Sequence, residues 1–276
     1  MAGIIGHLIN PLLVSRVQYS TPSKNMALSP DTISRLSLEF EHHPPQEIIA
    51  WAVETFCPKI AASSSFQTQS VPLLHMISKI QPKMRIFFVD TRYHFWDTLM
   101  FREQLERELG LNVADLYPDK SWKQFLRRFG RKLVTEDPDL CCYIRKVQPM
   151  QQALAGIDAW ISGIRRDQTP QRAKAQILEL QPDGLLKINP LLNWSKADIE
   201  HYRAQHNLPE HPMTALGYPS IGCMHCTAKV QPGEDERSGR WVGKGKTECG
   251  LHTEMFHKKT APGEVPEQFV LTDTLA

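Results

Sequence analysis

Short apolar runs that each end in a polar turn and give way to a helical pattern recur along this chain, and that order constrains the fold more than any other feature. Lys59 to Ser64 ends in the hydroxyl-rich turn Ser63-Ser64-Ser65, and helical periodicity follows through His75 and Ile80. Arg85 to Val89, rich in branched and aromatic side chains, ends in Asp90-Thr91 and leads into a helix from about Phe95 to Leu109. Further strands are expected at Val113 to Tyr117, Ala159 to Ile164 and Leu185 to Pro190, with helices over 121–129, 140–155 and 195–206. A helix pair over 31–55, broken at Pro44 and Pro45, precedes them. Strands that alternate with helices imply an α/β fold, with a mostly parallel sheet covered on both faces. In such sheets a ligand lies beyond the carboxyl ends of the strands, where helix N-termini turn free amides toward anions. Ser63, Ser64, Ser65, Asp90, Thr91 and the Ile164-Arg165-Arg166 stretch all fall at that edge.

The pattern changes after residue 208, where closely spaced prolines and glycines punctuate a polar stretch without periodicity. The expected organisation is therefore an N-terminal tail over 1–30, a nucleotide-binding α/β domain over 31–208 and a loop-rich C-terminal segment over 209–276. The tail carries Arg16 and Lys24 but no acidic residue, and its apolar run from Ile4 to Val14 is interrupted by Pro11. We read it as a frayed tail, or as the product of an upstream start with Met26 as the native one, rather than as a targeting segment. With 32 Lys and Arg against 30 Asp and Glu, the formal charge is only +2, so no global field argues for nucleic acid or membrane. No run approaches the roughly 18 to 20 apolar residues of a membrane span. A cytoplasmic protein is expected, and the sequence leaves open whether it forms a homo-oligomer.

Six cysteines stand in a chain without a secretory signal, where metal binding or catalysis is a commoner use than disulfides. Cys141 and Cys142 are adjacent, and Cys223 and Cys226 form a C-x-x-C. Together they supply thiolates for either a zinc ion or an iron-sulfur cube. Neighbours on one helix point about 100° apart, which favours a larger polynuclear centre over a single small ion. Cys57 suits the role of a small buried hydrophobe. Cys249 differs from all of these, because it stands on a Gly-rich tail with Lys244, Lys246 and His252 close by in sequence. A cationic setting favours the thiolate and hence a nucleophile. Candidate anion-binding residues are Arg145 and Lys146 after the cysteine pair, Arg165 and Arg166 at a strand end, and Arg237 and Arg240 in the tail.

Taken in order, these segments resemble the adenylyl-sulfate and phosphoadenylyl-sulfate reductase family, over about residues 59 to 252. The resemblance rests on SSSFQTQS at 63–70, FFVDTRYHF at 87–95, CCYIRKVQP at 141–149, WISGIRRDQTPQRA at 160–173, INPLLNW at 188–194, GYPSIGCMHC at 217–226, PGEDERSGRW at 232–241 and ECGLH at 248–252. It implies a Rossmann-like adenine nucleotide alpha hydrolase fold with a five- or six-stranded, mostly parallel sheet. It also implies reduction of adenosine 5'-phosphosulfate to sulfite and AMP in assimilatory sulfate reduction. Carried over residue by residue, Cys141, Cys142, Cys223 and Cys226 match the ligands of a 4Fe-4S cluster, and Cys249 matches a nucleophile that passes through an S-sulfonate. Lys146, Arg165, Arg237, Arg240 and His252 match substrate-binding positions. The electron donor is expected to be thioredoxin, as a separate protein, or a similar dithiol.

Two departures bear on the substrate. The turn SSSFQTQS looks more like that of family members acting on the 3'-phosphorylated nucleotide, and Arg92 replaces the glycine usual after Asp-Thr. Dual specificity therefore stays open. Rival classes are an RNA-directed sulfur transferase sharing the sheet, which would show a glycine-containing pyrophosphate loop and a basic surface, and a zinc-binding interaction module.

Overall fold

The structure is a computed structural model describing residues 28–261 and 263–266. The N-terminal tail and its targeting question lie outside the described residues. Among the described residues, no helix is long and apolar enough to cross a membrane.

The entry helices are Pro30–Glu39 (α1) and Pro45–Phe56 (α2), separated by a 3-10 turn at Phe40–His42. Prolines open both helices, where the missing amide costs nothing. Ile60–Ser63 (β1) leads through the serine turn into Val71–Ile80 (α3). Arg85–Val89 (β2) then leads into Trp96–Leu109 (α4), which ends on Gly110 in the left-handed region. Asn112–Leu116 (β3) is followed by Lys123–Glu136 (α5), a longer helix than the expected 121–129. Next comes one continuous rod made of Pro138–Cys142 (α6), a π-helical turn at Tyr143–Val147 and Gln148–Ala153 (α7). Ala159–Ile161 (β4), Leu178–Leu180 (β5), Leu186–Ile188 (β6) and Lys196–Gln205 (α8) complete the regular elements.

The six strands form one sheet in the order β3-β2-β1-β4-β6-β5. All pairings are parallel except β5 with β6, a hairpin that sequence reasoning missed. Leu-Glu-Leu is too short to show alternation. It forms because Leu178 is buried and its amide is claimed by Ser37 Oγ at 3.0 Å.

Period-two alternation sends the central strands' side chains to two cores. Ala62, Ile86, Phe88, Ile161 and Ile188 face a core shared with α1, α2, α3, α4 and α8. Ala61, Phe87 and Trp160 face the opposite side, against Leu133, Tyr143, Ile144, Val147 and Met150. Phe256 from the C-terminal segment joins this second core, so the tail is bound to the sheet by apolar contact. Each large apolar side chain buried here contributes about 1.5–3 kcal/mol. The order reverses direction between β1 and β4, and crevices form at such switch points.

Candidate active site

At that switch point, beyond the ends of β1 and β4, lies a cavity of about 170 Å³. Its floor is the serine turn on one side and Ser162, Gly163 and Ile164 on the other; its roof is the C-terminal segment through Ser220 to Gly222, Arg237, Arg240, Cys249 and His252. The turn is held by local chemistry. Ser64 Oγ accepts from the Phe66 amide at 3.0 Å, and Ser63 Oγ accepts from Trp160 Nε1 at 2.8 Å. Phe66 takes a positive φ of 52°, a strained setting for a bulky residue, and is secured by complete burial and edge-on packing against Phe88. The chain then enters α3, whose N-cap Ser70 makes no side-chain cap bond and lines the cavity, so a helix N-terminus faces it.

Of the sequence-derived candidates, Ser63, Ser64, Ser65, Lys146, Arg237, Arg240, Cys249 and His252 are gathered around this one cavity. Others stand elsewhere. The Arg165 guanidinium is buried and bound to Asp167 at 3.0 Å and to Gln69 at 2.8 Å, and it does not line the cavity. Arg172, seven residues on in the same segment, lines it instead. Asp90 accepts from the Arg92 amide at 2.8 Å and also stays out of the lining. Thr91 places its hydroxyl 3.2 Å from Cys223 Sγ, on the cysteine side of the site. Arg92 stacks on the Tyr117 ring at 4.2 Å, away from the cavity. Arg166 clamps Glu41 at 2.6 Å and 2.8 Å, tying a loop to the end of α1.

The electrostatics favour anions. Lys146 is raised above the ordinary lysine range: burial alone would lower it, but the thiols of Cys223, Cys142 and Cys249 outweigh that. Burial, with Arg172 close by, lowers Arg237 to about 10, and burial lowers Arg240 as well. His252 lies well below its usual range because it is buried among Lys187, Arg172 and Arg237, and it stacks on Trp160 at 5.8 Å. It is therefore a neutral ring rather than a cation.

Lys244 and Lys246, expected beside Cys249, reach elsewhere: Lys244 Nζ lies 2.8 Å from the His225 carbonyl and 3.5 Å from Cys226 Sγ, and Lys246 pairs with Asp139. The cations that interact electrostatically with Cys249 are Lys146, Arg237 and Arg240. Six buried side-chain nitrogens lack a partner among the described residues, and four of them belong to cavity-lining residues: His94 Nδ1, Arg237 Nε, Arg240 Nε and His252 Nδ1. Buried polar atoms are rarely left unpaired, and here they surround an open space. His94 was missed in sequence; its Nε2 donates to the Val89 carbonyl at 2.9 Å, and only tertiary packing turns the ring to the cavity.

Cys141, Cys142, Cys223 and Cys226 line a second, smaller cavity together with Tyr93, Arg145 and Lys146. Two elements supply them, the α6 rod and the loop 223–226, and the Met224 amide pins that loop to the segment after β2 by donating to the Tyr93 carbonyl at 2.7 Å. Burial pushes the Cys141 thiol up to about 11 and Cys142 to about 12. Burial also acts on Cys223, but Lys146, the Thr91 hydroxyl and Arg240 reverse it and lower that thiol. Among the described residues no three His, Cys, Asp or Glu side chains are grouped to hold a single metal ion. Four thiols around one cavity, without carboxylates but with Arg145 and Lys146 beside them, suit a wider, anionic thiolate-ligated centre.

A cationic crevice at a parallel-sheet switch point, with a cysteine in its wall and paired cysteines behind it, defines a mostly parallel α/β protein that carries thiols at its switch point. The family model for the phosphoadenosine phosphosulfate reductase domain matches residues 59–229, and the chain belongs to that family. It is 39% identical over 79% of its length to an adenosine 5'-phosphosulfate reductase of Streptomyces coelicolor, covering 92% of that protein. It is also 39% identical over 82% of its length to a phosphoadenosine 5'-phosphosulfate reductase of Gloeobacter violaceus, covering 96% of it. Among solved structures, the phosphate complex of phosphoadenylyl-sulfate reductase from Candida auris superposes with a TM-score of 0.64 at 30% identity, covering 74% of this chain and 99% of that one.

Proposed function

We propose that this protein reduces adenosine 5'-phosphosulfate to sulfite and AMP in sulfate assimilation, in the cytoplasm, with thioredoxin or a similar dithiol protein as electron donor. The observation that carries the reading is that Cys249 shares one cavity with Lys146, Arg172, Arg237 and Arg240. A thiolate and a sulfate group are both anionic, so they meet only inside such a cationic shell.

The nucleotide binds across the switch point, with its phosphate near the serine turn and the N-terminus of α3 and its sulfate toward the arginines. The Cys249 thiolate attacks sulfur; the bond between sulfur and the bridging phosphate oxygen breaks, and AMP leaves with that electron pair. Cys249 then carries an S-sulfonate. A donor thiolate attacks Cys249 Sγ, sulfite departs with the bonding pair, and the second donor thiol resolves the mixed disulfide, returning Cys249 to the thiol. Two electrons therefore come from the dithiol. Cys141, Cys142, Cys223 and Cys226 would hold a 4Fe-4S cluster, whose charge would tune the cavity edge through Lys146, which borders both cavities, as Trp241 does.

A second reading, reduction of the 3'-phosphorylated nucleotide, is favoured by the serine turn in the cavity wall and by the similarity to the Gloeobacter violaceus protein. The test is sulfite release by anaerobically purified protein with thioredoxin, offered either nucleotide in parallel, with iron and acid-labile sulfide measured on the same sample. Turnover of adenosine 5'-phosphosulfate by iron-loaded protein supports the first reading. Preference for the phosphorylated form selects the second.

A further inference from the structure

Glu248, the residue before Cys249, is buried, so its carboxylate charge must be paired within the fold. Its carboxylate accepts a two-pronged pair from Arg172, Nε to Oε1 at 2.8 Å and Nη2 to Oε2 at 2.9 Å. Thr169 Oγ1 donates to Oε1 at 2.9 Å, and Arg237 Nη2 stands 3.6 Å from Oε2. Fork-to-carboxylate pairs fix direction as well as distance. Both arginines also line the cavity that holds Cys249. On the other side of the cysteine, Gly250 turns the chain at φ 91°, a conformation that favours glycine, and a β-carbon there would stand 2.5 Å from Met255 Sδ and 3.1 Å from Val147 Cγ2, so Met255 would have to shift. Cys249 is thus held between a charged anchor and a packed turn, on a segment otherwise without regular structure.

We propose that Glu248 is a positioning residue which, by clasping Arg172, aims the Cys249 sulfur into the cavity and sets how much positive charge the cavity keeps for the incoming anion. The proposal rests on the reading of Cys249 as the nucleophile. Two opposite effects follow from removing the carboxylate charge. The sulfur loses its aim, so the chemical step slows, by roughly 10- to 100-fold for a displacement of about 1 Å. The cavity also loses a fixed negative charge, so anion binding holds or tightens. A merely structural glutamate would weaken both together.

The experiment compares the wild-type protein, Glu248→Gln and Glu248→Asp in single-turnover S-sulfonation, equilibrium binding of AMP, and the rate at which iodoacetamide alkylates Cys249, read by mass spectrometry of its own peptide. The expected result is at least tenfold slower sulfonation in Glu248→Gln, AMP binding equal to or tighter than wild type, and an altered alkylation rate at Cys249. Glu248→Asp keeps the charge but cannot span both nitrogens, so it gives slower sulfonation with unchanged AMP affinity, and it serves if Glu248→Gln fails to fold. Sulfonation within twofold of wild type in both variants, or parallel loss of AMP binding and sulfonation, overturns the proposal. Wild-type protein that forms no sulfonate sinks the proposed function instead, while the alkylation rates still report on the clasp.

Discussion

A β-carbon built on Gly222 would lie 2.2 Å from an Arg240 guanidinium nitrogen. Glycine is required there by side-chain approach, since the buried Arg240 passes beneath it to reach Ser220 Oγ and the Ile221 carbonyl, each at 3.3 Å. A Gly222→Ala substitution must therefore displace the guanidinium from the cavity wall. A charged hydrogen bond to an anion is worth about 1.5–3 kcal/mol, so the KM for adenosine 5'-phosphosulfate in a sulfite-release assay is expected to rise roughly tenfold or more. The arginines show where residue-level reading stops. Arg165, Arg166 and Arg172 all belong to one segment, yet Arg165 turns to Asp167, Arg166 to Glu41, and only Arg172 to the cavity. Local spacing offers Arg165 its Asp167, but Arg166 and Arg172 are directed by acidic partners far away in sequence, Glu41 and Glu248.

Elements bring these residues together, and the connection between α4 and the tail is an instance with a pH signature. His211 is buried; its Nδ1 accepts from the Met213 amide at 3.2 Å and its Nε2 donates to Thr98 Oγ1 at 3.1 Å. Burial holds it down at about 4, despite the nearby Asp97 charge. An unfolded histidine takes up its proton near 6.5, so below that pH the unfolded chain binds more protons. The stability from keeping His211 neutral is thus fully present above about pH 6.5 and drains away as pH falls toward 4, a change on the order of 3 kcal/mol. Urea denaturation at pH 7 and pH 5 is expected to show the part of this loss that falls above pH 5, about 2 kcal/mol, and a His211→Gln variant to show a shallower one.

The paired cysteines likewise come from two elements, the α6 rod and the loop 223–226. The π-helical turn between α6 and α7 shifts the helical phase where Arg145 and Lys146 leave the rod, and π turns often mark functional sites. A Cys226→Ala variant is expected to lose most of its iron by colorimetric assay. It should also expose the 217–247 region to faster hydrogen exchange, since the loop would lose one of its ties to the rod.

Across the whole molecule, Trp160 is where the second core, the serine turn and the tail converge. It sits fully buried on β4, donates to Ser63 Oγ at 2.8 Å, and packs against Phe256 at 5.1 Å. Trp160→Ala leaves a large void beneath both cavity walls and is expected to cost about 3–5 kcal/mol in chemical denaturation. Activity should fall further than stability alone explains, because His252 loses the ring it stacks on.

The alternation of strands and helices, the break at Pro44 and Pro45, the paired cysteines and the serine turn were legible in the sequence, because hydrophobic period, turn chemistry and thiol spacing are local properties. Arg85–Val89 emerged with its expected bounds, since β-branched and aromatic residues there alternate between two buried faces. Tertiary structure alone decided the β5–β6 hairpin, the turning of His94 to the cavity and the pairing of Glu248 with Arg172, 76 residues apart. It also turned Arg92 to Tyr117 and Arg165 to Gln69, away from the site that their positions at the strand ends suggested, while Asp90 is held locally by the Arg92 amide. The physical reason is one of range: period and propensity act over a few residues, whereas the direction of a long charged side chain is set by whichever buried partner the folded chain brings within hydrogen-bond reach.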